Sequence, residues 1–137
     1  MKICILSIIL FLTFSACSED NPVSANTENL TEVQFDLQTG FANVSLSIME
    51  ENKNYFGGMF TGIERLAGPQ ASFITFLAQG KHEFIIRRTQ LDNITLFKMD
   101  TCEIDIGGSE KYWVGIGVNT NTDSLYYVVQ DSGFFYL

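Results

Sequence analysis

From Glu32 onward, apolar and polar residues alternate in short runs that are separated by turn residues. A period of two places neighbouring side chains on opposite faces of a β-strand, so each run predicts a strand with one buried face. The runs in chain order are EVQFDLQ, NVSLSIM, YFGGMF, SFITFL, HEFIIRR, NITLF, CEIDI, YWVGIGV and LYYVV, with FFYL at the end. Their number and spacing predict an all-β domain, an antiparallel β-sandwich of about eight short strands, with a small β-barrel as the alternative.

Residues 69–80, PQASFITFLAQG, admit two interpretations. Pro69 stands where a short helix could begin and Gly80 where it could end. The longer stretch FITFLAQGKHEFIIRR favours two strands around a tight turn, which is a hairpin. This stretch loosely resembles PEGA-type and other immunoglobulin-like bacterial surface modules, in which a similar L-x-x-G-x-H pattern, here Leu77, Gly80 and His82, precedes the last strand. The resemblance implies an immunoglobulin-like sandwich and no particular function.

The first residues have the form of an export signal. Lys2 is followed by an apolar run over residues 3–14 that is too short for a stable transmembrane helix. The next letters, FSAC, resemble the lipobox of bacterial lipoprotein signal peptides, in which a small residue, here Ala16, precedes an invariant cysteine, here Cys17. Phe14 replaces the leucine that is most common at the first lipobox position. The resemblance implies cleavage before Cys17 and acylation of its thiol, and several acyl chains anchor a protein stably in a membrane.

The residues after Cys17 are polar. The stretch SEDNPVSANTENLT begins with two acids and contains little that could pack, so it predicts a flexible tether. SED resembles the acidic export tag that sends lipoproteins of the Bacteroidetes type to the outside of the outer membrane. We therefore expect a signal peptide over residues 1–16, a lipidated cysteine and tether over 17–31, and a sandwich domain over 32–137. The expected location is the bacterial outer membrane, with the protein held there by lipid.

The chain is acidic, which argues against nucleic acid as a partner. Its formal charge is -8, from 8 basic and 16 acidic residues. Lys2 would leave with the signal, so the mature chain would carry 7 basic residues against 16 acids, a charge of -9. Phosphate backbones are bound by clustered Lys and Arg. The basic pair Arg87 and Arg88 instead predicts a solvated strand end.

Cysteine and histidine chemistry is restricted. After removal of Cys4 and acylation of Cys17, Cys102 stands alone, so no disulfide is expected; an unmodified Cys17 could instead pair with Cys102. Cys102 alternates with apolar neighbours and predicts a small core residue rather than a nucleophile. His82, the single histidine, follows a turn and predicts a surface strand residue.

Two further patterns partly resemble known binding sites. NTNTDS, from Asn119, has the oxygen spacing that begins a calcium loop, but it lacks the glycine and the final acid of such a loop. A polar hairpin connection is favoured, and no metal is expected. Gly115 and Gly117 lie inside a predicted strand and open no helix, so they predict no dinucleotide cofactor.

The best candidate ligand site lies on the same predicted strand, YWVGIGV, on the face that carries its two glycines. Trp113, Gly115 and Gly117 alternate with the apolar residues of YWVGIGV, and an aromatic ring beside missing side chains forms a shelf on which a sugar ring or a backbone can lie. Alternatively, Trp113 covers its own glycines or lies in the core.

These patterns favour a lipid-anchored, non-catalytic binding or structural module over an enzyme. Its partners would be the membrane, through the lipid, and a glycan or an envelope protein. The alternatives are an accessory or inhibitory subunit of an envelope complex, or a hydrolase that uses Glu103 and Asp105, which share a strand face.

Overall fold

The structure, a computed structural model, describes residues 29–62 and 68–136. Eight β-strands make up the fold: β1 Thr31–Leu37, β2 Val44–Glu50, β3 Lys53–Phe60, β4 Ala71–Leu77, β5 Gly80–Gln90, β6 Phe97–Ile106, β7 Lys111–Asn119 and β8 Ser124–Gln130. The expected signal peptide, Cys17 and most of the expected tether lie outside the described residues. Among the residues that are described, no helix has the length and apolar character needed to cross a bilayer.

The strands form two sheets of four. The first, sheet A, has the order β4-β1-β7-β8, and the second, sheet B, has the order β3-β2-β5-β6. All pairs are antiparallel except β1 with β7, which run parallel. The predicted β-sandwich is thereby confirmed, and the barrel alternative is not adopted. Residues 71–77 form a strand, so the helix alternative for this segment is wrong.

Alternating side chains of both sheets meet in a single core, as the period-two pattern requires. Phe35 is fully buried at its centre, where its ring stacks on Phe73 at a centroid distance of 4.7 Å and meets Phe84 edge-on at 5.2 Å. The other buried apolar residues are Val33, Leu37, Phe41, Val44, Leu46, Ile48, Leu77, Ile86, Cys102, Ile104, Ile106, Val114, Ile116 and Val118. Cys102 is therefore a core residue, as predicted.

The predicted hairpin around residues 78–79 is wrong. β4 pairs with β1 in sheet A, whereas β5 pairs with β2 and β6 in sheet B, so the short connection passes from one sheet to the other. Gly80 takes a φ of 127° at this crossing, a conformation that favours glycine. Two apolar runs around a turn look alike whether they pair with each other or face each other across a core.

The connection from β1 to β2 also changes sheets. After β1, the amide of Gln38 donates to the carbonyl of Ile116 (2.7 Å), and the amide of Val118 donates to the carbonyl of Thr39 (2.9 Å). The chain therefore continues along β7 instead of turning back on itself. Phe41 then enters the core, and the chain reaches sheet B at Val44.

One predicted strand is not formed as expected, and the last residues that the structure describes form no strand either. NITLF is mostly a turn, in which Asn93 Oδ1 accepts a hydrogen bond from the Thr95 hydroxyl (2.7 Å), and β6 begins only at Phe97. Residues 134–136 of FFYL have no strand pairing.

Arg88 is not part of a solvated strand end. Arg87 is exposed, but Arg88 points inward, retains only 7 % exposure and donates to Asp100 (2.9 Å) and Asp123 (2.8 Å). A hydrogen bond from Lys98, followed by the bonds and charge of Arg88, holds the pKa of the Asp123 carboxyl below its ordinary value. A buried guanidinium requires such partners, which come from two other strands or their connections.

Candidate functional site

The outer face of sheet A carries several exposed or half-exposed rings and apolar side chains. We call this surface the aromatic face. It contains Trp113, Tyr126, Phe134 and Tyr136, with Ile74 and Phe76 on the edge strand β4. Ile74 and Phe76 are each more than half exposed. Because β7 is central in sheet A, its outward residues lie in the middle of the face.

Trp113 lies on this face, as the alternation predicts, and does not enter the core. It is half-buried, the Lys111 ammonium lies 4.8 Å from its ring centroid, and Gly133 packs against its indole edge. Trp113 also does not cover Gly115 and Gly117, so neither alternative proposed for it is adopted. The ring is partly available to a ligand.

The two glycines of the predicted shelf are covered by other side chains. A Cβ atom at Gly115 would overlap the Gln38 amide and lie 2.7 Å from Cζ of Phe134, and one at Gly117 would overlap the Tyr126 phenol. The missing side chains therefore leave a notch, and the notch is already filled by the chain itself. A ligand reaches the backbone of Gly115 only where Gln38 and Phe134 move aside, and that of Gly117 only where Tyr126 does.

The filling ring belongs to the C-terminal segment, residues 133–136, which we call the strap. The strap crosses the outer face of sheet A from β8 over β7 to β1, so that Gly133 packs on Trp113 and Phe134 enters the notch at Gly115. Phe135 points away from the sheet and is 95 % exposed. FFYL follows the last predicted strand, and no role was predicted for it from the sequence.

Asp36 is a buried acid of this face, and no sequence pattern predicted its role. It is only 2 % exposed, and its carboxylate accepts hydrogen bonds from the Tyr136 hydroxyl (2.8 Å), the Ser72 hydroxyl (2.7 Å) and the Gln34 amide (3.0 Å). A buried carboxylate is tolerated when such donors surround it. Nothing in the local sequence distinguishes Asp36 from an ordinary exposed strand residue, because its donors come from β4 and the strap.

Tyr136 makes the strap contact sensitive to high pH. Partial burial, and then the hydrogen bond and charge of Asp36, raise the pKa of Tyr136 to about 12. Tyr55, half-buried beside Glu50, also has a pKa of about 12. Because a raised pKa favours the protonated folded state, this stabilisation is complete below pH 10 and is lost as the pH rises from 10 to 12. We expect Tyr136→Phe to flatten the fall in stability over that interval, measured by guanidinium unfolding at pH 8 and 11.5. An equally steep fall in both proteins would contradict this assignment.

The groups considered for nucleophilic catalysis are engaged elsewhere. Burial raises the pKa of the Cys102 thiol to about 12, so no reactive thiolate is present near neutral pH. His82 is not the surface residue that the sequence predicts. Its ring is half-buried, with Nδ1 2.7 Å from a Glu50 carboxylate oxygen and Nε2 2.9 Å from the Ala78 carbonyl. Both nitrogens are thereby committed to the crossing between the sheets.

Glu103 and Asp105 lie on the exposed outer face of β6, as predicted. In the register of sheet B, Glu103 is opposite Glu83 and Asp105 is opposite Lys81. These four residues, with His82, Ile104 and Tyr127, line a shallow pocket of about 570 Å³. Their arrangement is that of charged neighbours on a solvated sheet face.

The predicted polar hairpin between β7 and β8 is confirmed. Asn119 Oδ1 accepts the amide of Asn121 (3.0 Å), and Asp123 turns toward Arg88 and Lys98. Across residues 29–62 and 68–136, no group of three or more His, Cys, Asp or Glu side chains is placed to hold a metal ion.

Comparison with known proteins gives a distant structural likeness. No family model matches the chain. No curated protein matches it either. Among solved structures, it is similar to the NMR structure of a protein from Eubacterium rectale, with 13% sequence identity and a TM-score of 0.42, over 76% of this chain and 91% of that chain. A likeness of this degree assigns neither a family nor a function to the chain.

Proposed function

We propose that this protein is a lipid-anchored, non-catalytic binding module of the bacterial envelope. Acylation at Cys17 holds it at the outer membrane, and the aromatic face of sheet A is its binding surface. Its partner is a glycan or another envelope protein. The anchor rests on the FSAC motif and on the acidic residues that follow it.

One observation supports the binding role most directly, namely the composition of the aromatic face. Exposed apolar groups that cluster on one face of a monomer often mark interaction sites. Here rings that can stack, such as Trp113 and Tyr126, lie beside the hydrogen-bonding side chains of Gln34 and Gln38. Aromatic rings with nearby amides suit both the apolar faces of sugars and extended peptides.

The remaining chemistry of the described residues favours binding over catalysis. His82 is held by Glu50 and Ala78, and the Cys102 thiol lies in the core. Asp36 is surrounded by its own donors on the aromatic face. Stacking and hydrogen bonding are therefore the interactions that this face offers to a partner.

Replacing Trp113 with alanine tests the proposal. Trp113 is half-buried and outside the core, so we expect Trp113→Ala to remain folded. We expect it to weaken binding at least about tenfold, because truncating a central aromatic hot-spot residue costs about 2 kcal/mol or more. The assay is a glycan array combined with pull-down of envelope proteins. Phe97→Ala is the matched control, because Phe97 is a half-exposed ring on the outer face of sheet B.

The possible outcomes separate clearly. Loss of binding in Trp113→Ala, with Phe97→Ala unaffected, would support the aromatic face as the binding surface. A folded Trp113→Ala protein that binds every partner as before would refute it. Unfolding of Trp113→Ala, seen by circular dichroism, would show that the ring is structural and would also refute the proposal.

A further inference from the structure

The strap and the surface beneath it fit each other as a peptide fits a groove. We propose that the groove formed by Asp36, Gln38, Trp113 and Gly115 binds an extended peptide segment that carries an aromatic residue followed two positions later by a tyrosine. The chain's own strap occupies this groove and competes with such a partner. This inference rests on the proposed function, because the groove lies within the aromatic face.

The steric part of the recognition is the notch at Gly115. The ring of Phe134 lies where a side chain on residue 115 would stand, since a Cβ there would be 2.7 Å from the ring. Gly133 approaches the indole edge of Trp113 just before it, at 3.6 Å from the position of a Cβ. A Cβ at that distance makes an ordinary contact, so the fit to the groove depends on the aromatic ring at position 134 and not on the glycine before it.

The polar part of the recognition is the carboxylate of Asp36. Two residues after Phe134, the Tyr136 hydroxyl donates to Oδ2 of Asp36 over 2.8 Å. An extended segment directs residues i and i+2 to the same side, which places the ring in the notch and the hydroxyl at the carboxylate together. Phe135, between them, faces solvent and contributes nothing to the fit.

The strap is held by side chains and not by a strand ladder. Among the described residues, the backbone hydrogen bonds outside the sheets include none from residues 131–136. Its contacts are the Phe134 ring at Gly115, Gly133 against the Trp113 indole, and the Tyr136 hydroxyl, which is hydrogen-bonded to Asp36 (2.8 Å) and to the Gln38 side chain. A partner segment of the same chemistry can therefore replace each contact of the strap without breaking the sheet.

Tethering gives the strap an advantage over a free segment. A short linker holds the strap beside the groove at an effective concentration in the millimolar range. A free partner segment must therefore displace the strap in order to bind. We therefore expect the intact chain to bind a free peptide at least about tenfold more weakly than a chain whose strap is released.

The test uses the synthetic peptide GFFYL, which has the sequence of residues 133–137, and the full chain in detergent. Trp113 is the single tryptophan of the chain and lies against Gly133, so its fluorescence reports occupancy of the groove. The strap is released by the double variant Phe134→Ala and Tyr136→Ala, and by deletion of residues 133–137. The matched control, Phe135→Ala, removes a ring that does not touch the sheet.

Both strap-released forms should bind GFFYL at least about tenfold more tightly than the intact chain and the Phe135→Ala control. A peptide with alanine in the place of Phe134 should bind weakly, and one with alanine in the place of Phe135 should bind as well as GFFYL. Equal peptide affinity in all forms, or unfolding of both released forms, would show that the strap is a fixed structural element and would overturn the proposal. Neither result would decide the screen with Trp113→Ala, which tests the wider face against other partners.

Discussion

Phe35→Ala is expected to destabilise the domain by about 3–5 kcal/mol, which is the range for removing a fully buried phenylalanine ring. Phe35 has no exposed surface, stacks on Phe73 and meets Phe84 edge-on, so it links both sheets. A domain of this size has about 5–15 kcal/mol of stability in total, so this single change removes at least about a fifth of it. Denaturant unfolding followed by circular dichroism measures the change.

Two control variants test whether the loss of stability arises from the core position of Phe35. Phe35→Leu keeps much of the buried volume and should cost clearly less than the alanine variant. Phe97→Ala removes a ring that is about half exposed on sheet B and should change the stability little. A loss for Phe35→Ala no larger than that for Phe97→Ala would contradict the position of the core.

Cys17→Ser is expected to move the protein from the membrane fraction to the soluble fraction. In the proposed anchor the acyl chains depend on the Cys17 thiol, and each buried methylene adds about 0.8 kcal/mol to membrane binding, so the loss of all chains would remove the anchor. Detergent-phase partitioning and fatty-acid labelling measure the change together.

Cys102→Ala is the control for the anchor, because Cys102 is a buried free cysteine within the sandwich and should not be acylated. This variant should remain in the detergent phase and keep its label. Unchanged partitioning and labelling of Cys17→Ser would refute the lipoprotein assignment, and with it the proposed location.

The aromatic face combines residues whose roles depend on distant partners. Asp36 is separated by a hundred positions from Tyr136, whose hydroxyl donates to it. The notch at Gly115 is occupied by the ring of Phe134, from the end of the chain. If the strap is a competitor for partners, the same residues that recognise a ligand also determine how readily the site opens. Substitutions of Asp36 would then change both the affinity for a partner and the ease with which the strap is released.

The period-two alternation was enough to predict an all-β sandwich, the inward direction of Val33, Phe35 and Leu37, and the outward direction of Trp113. These features depend on local geometry, because the side-chain period of a strand is two whatever the strand pairs with. The same pattern identified Cys102 as a core residue. It carried no information about which strands are neighbours, since pairing is a contact between residues that are far apart in the chain.

Tertiary structure therefore decided the pairings and every role that depends on them. It placed β4 and β5 in different sheets, and it brought Arg88 to acids on other parts of the chain. It also closed the shelf beside Trp113 with Phe134, and it buried Asp36 beneath Tyr136. The two-residue alternation of a strand specifies the face on which a residue lies. The burial of that residue and its charged partners depend on what the rest of the chain places over that face.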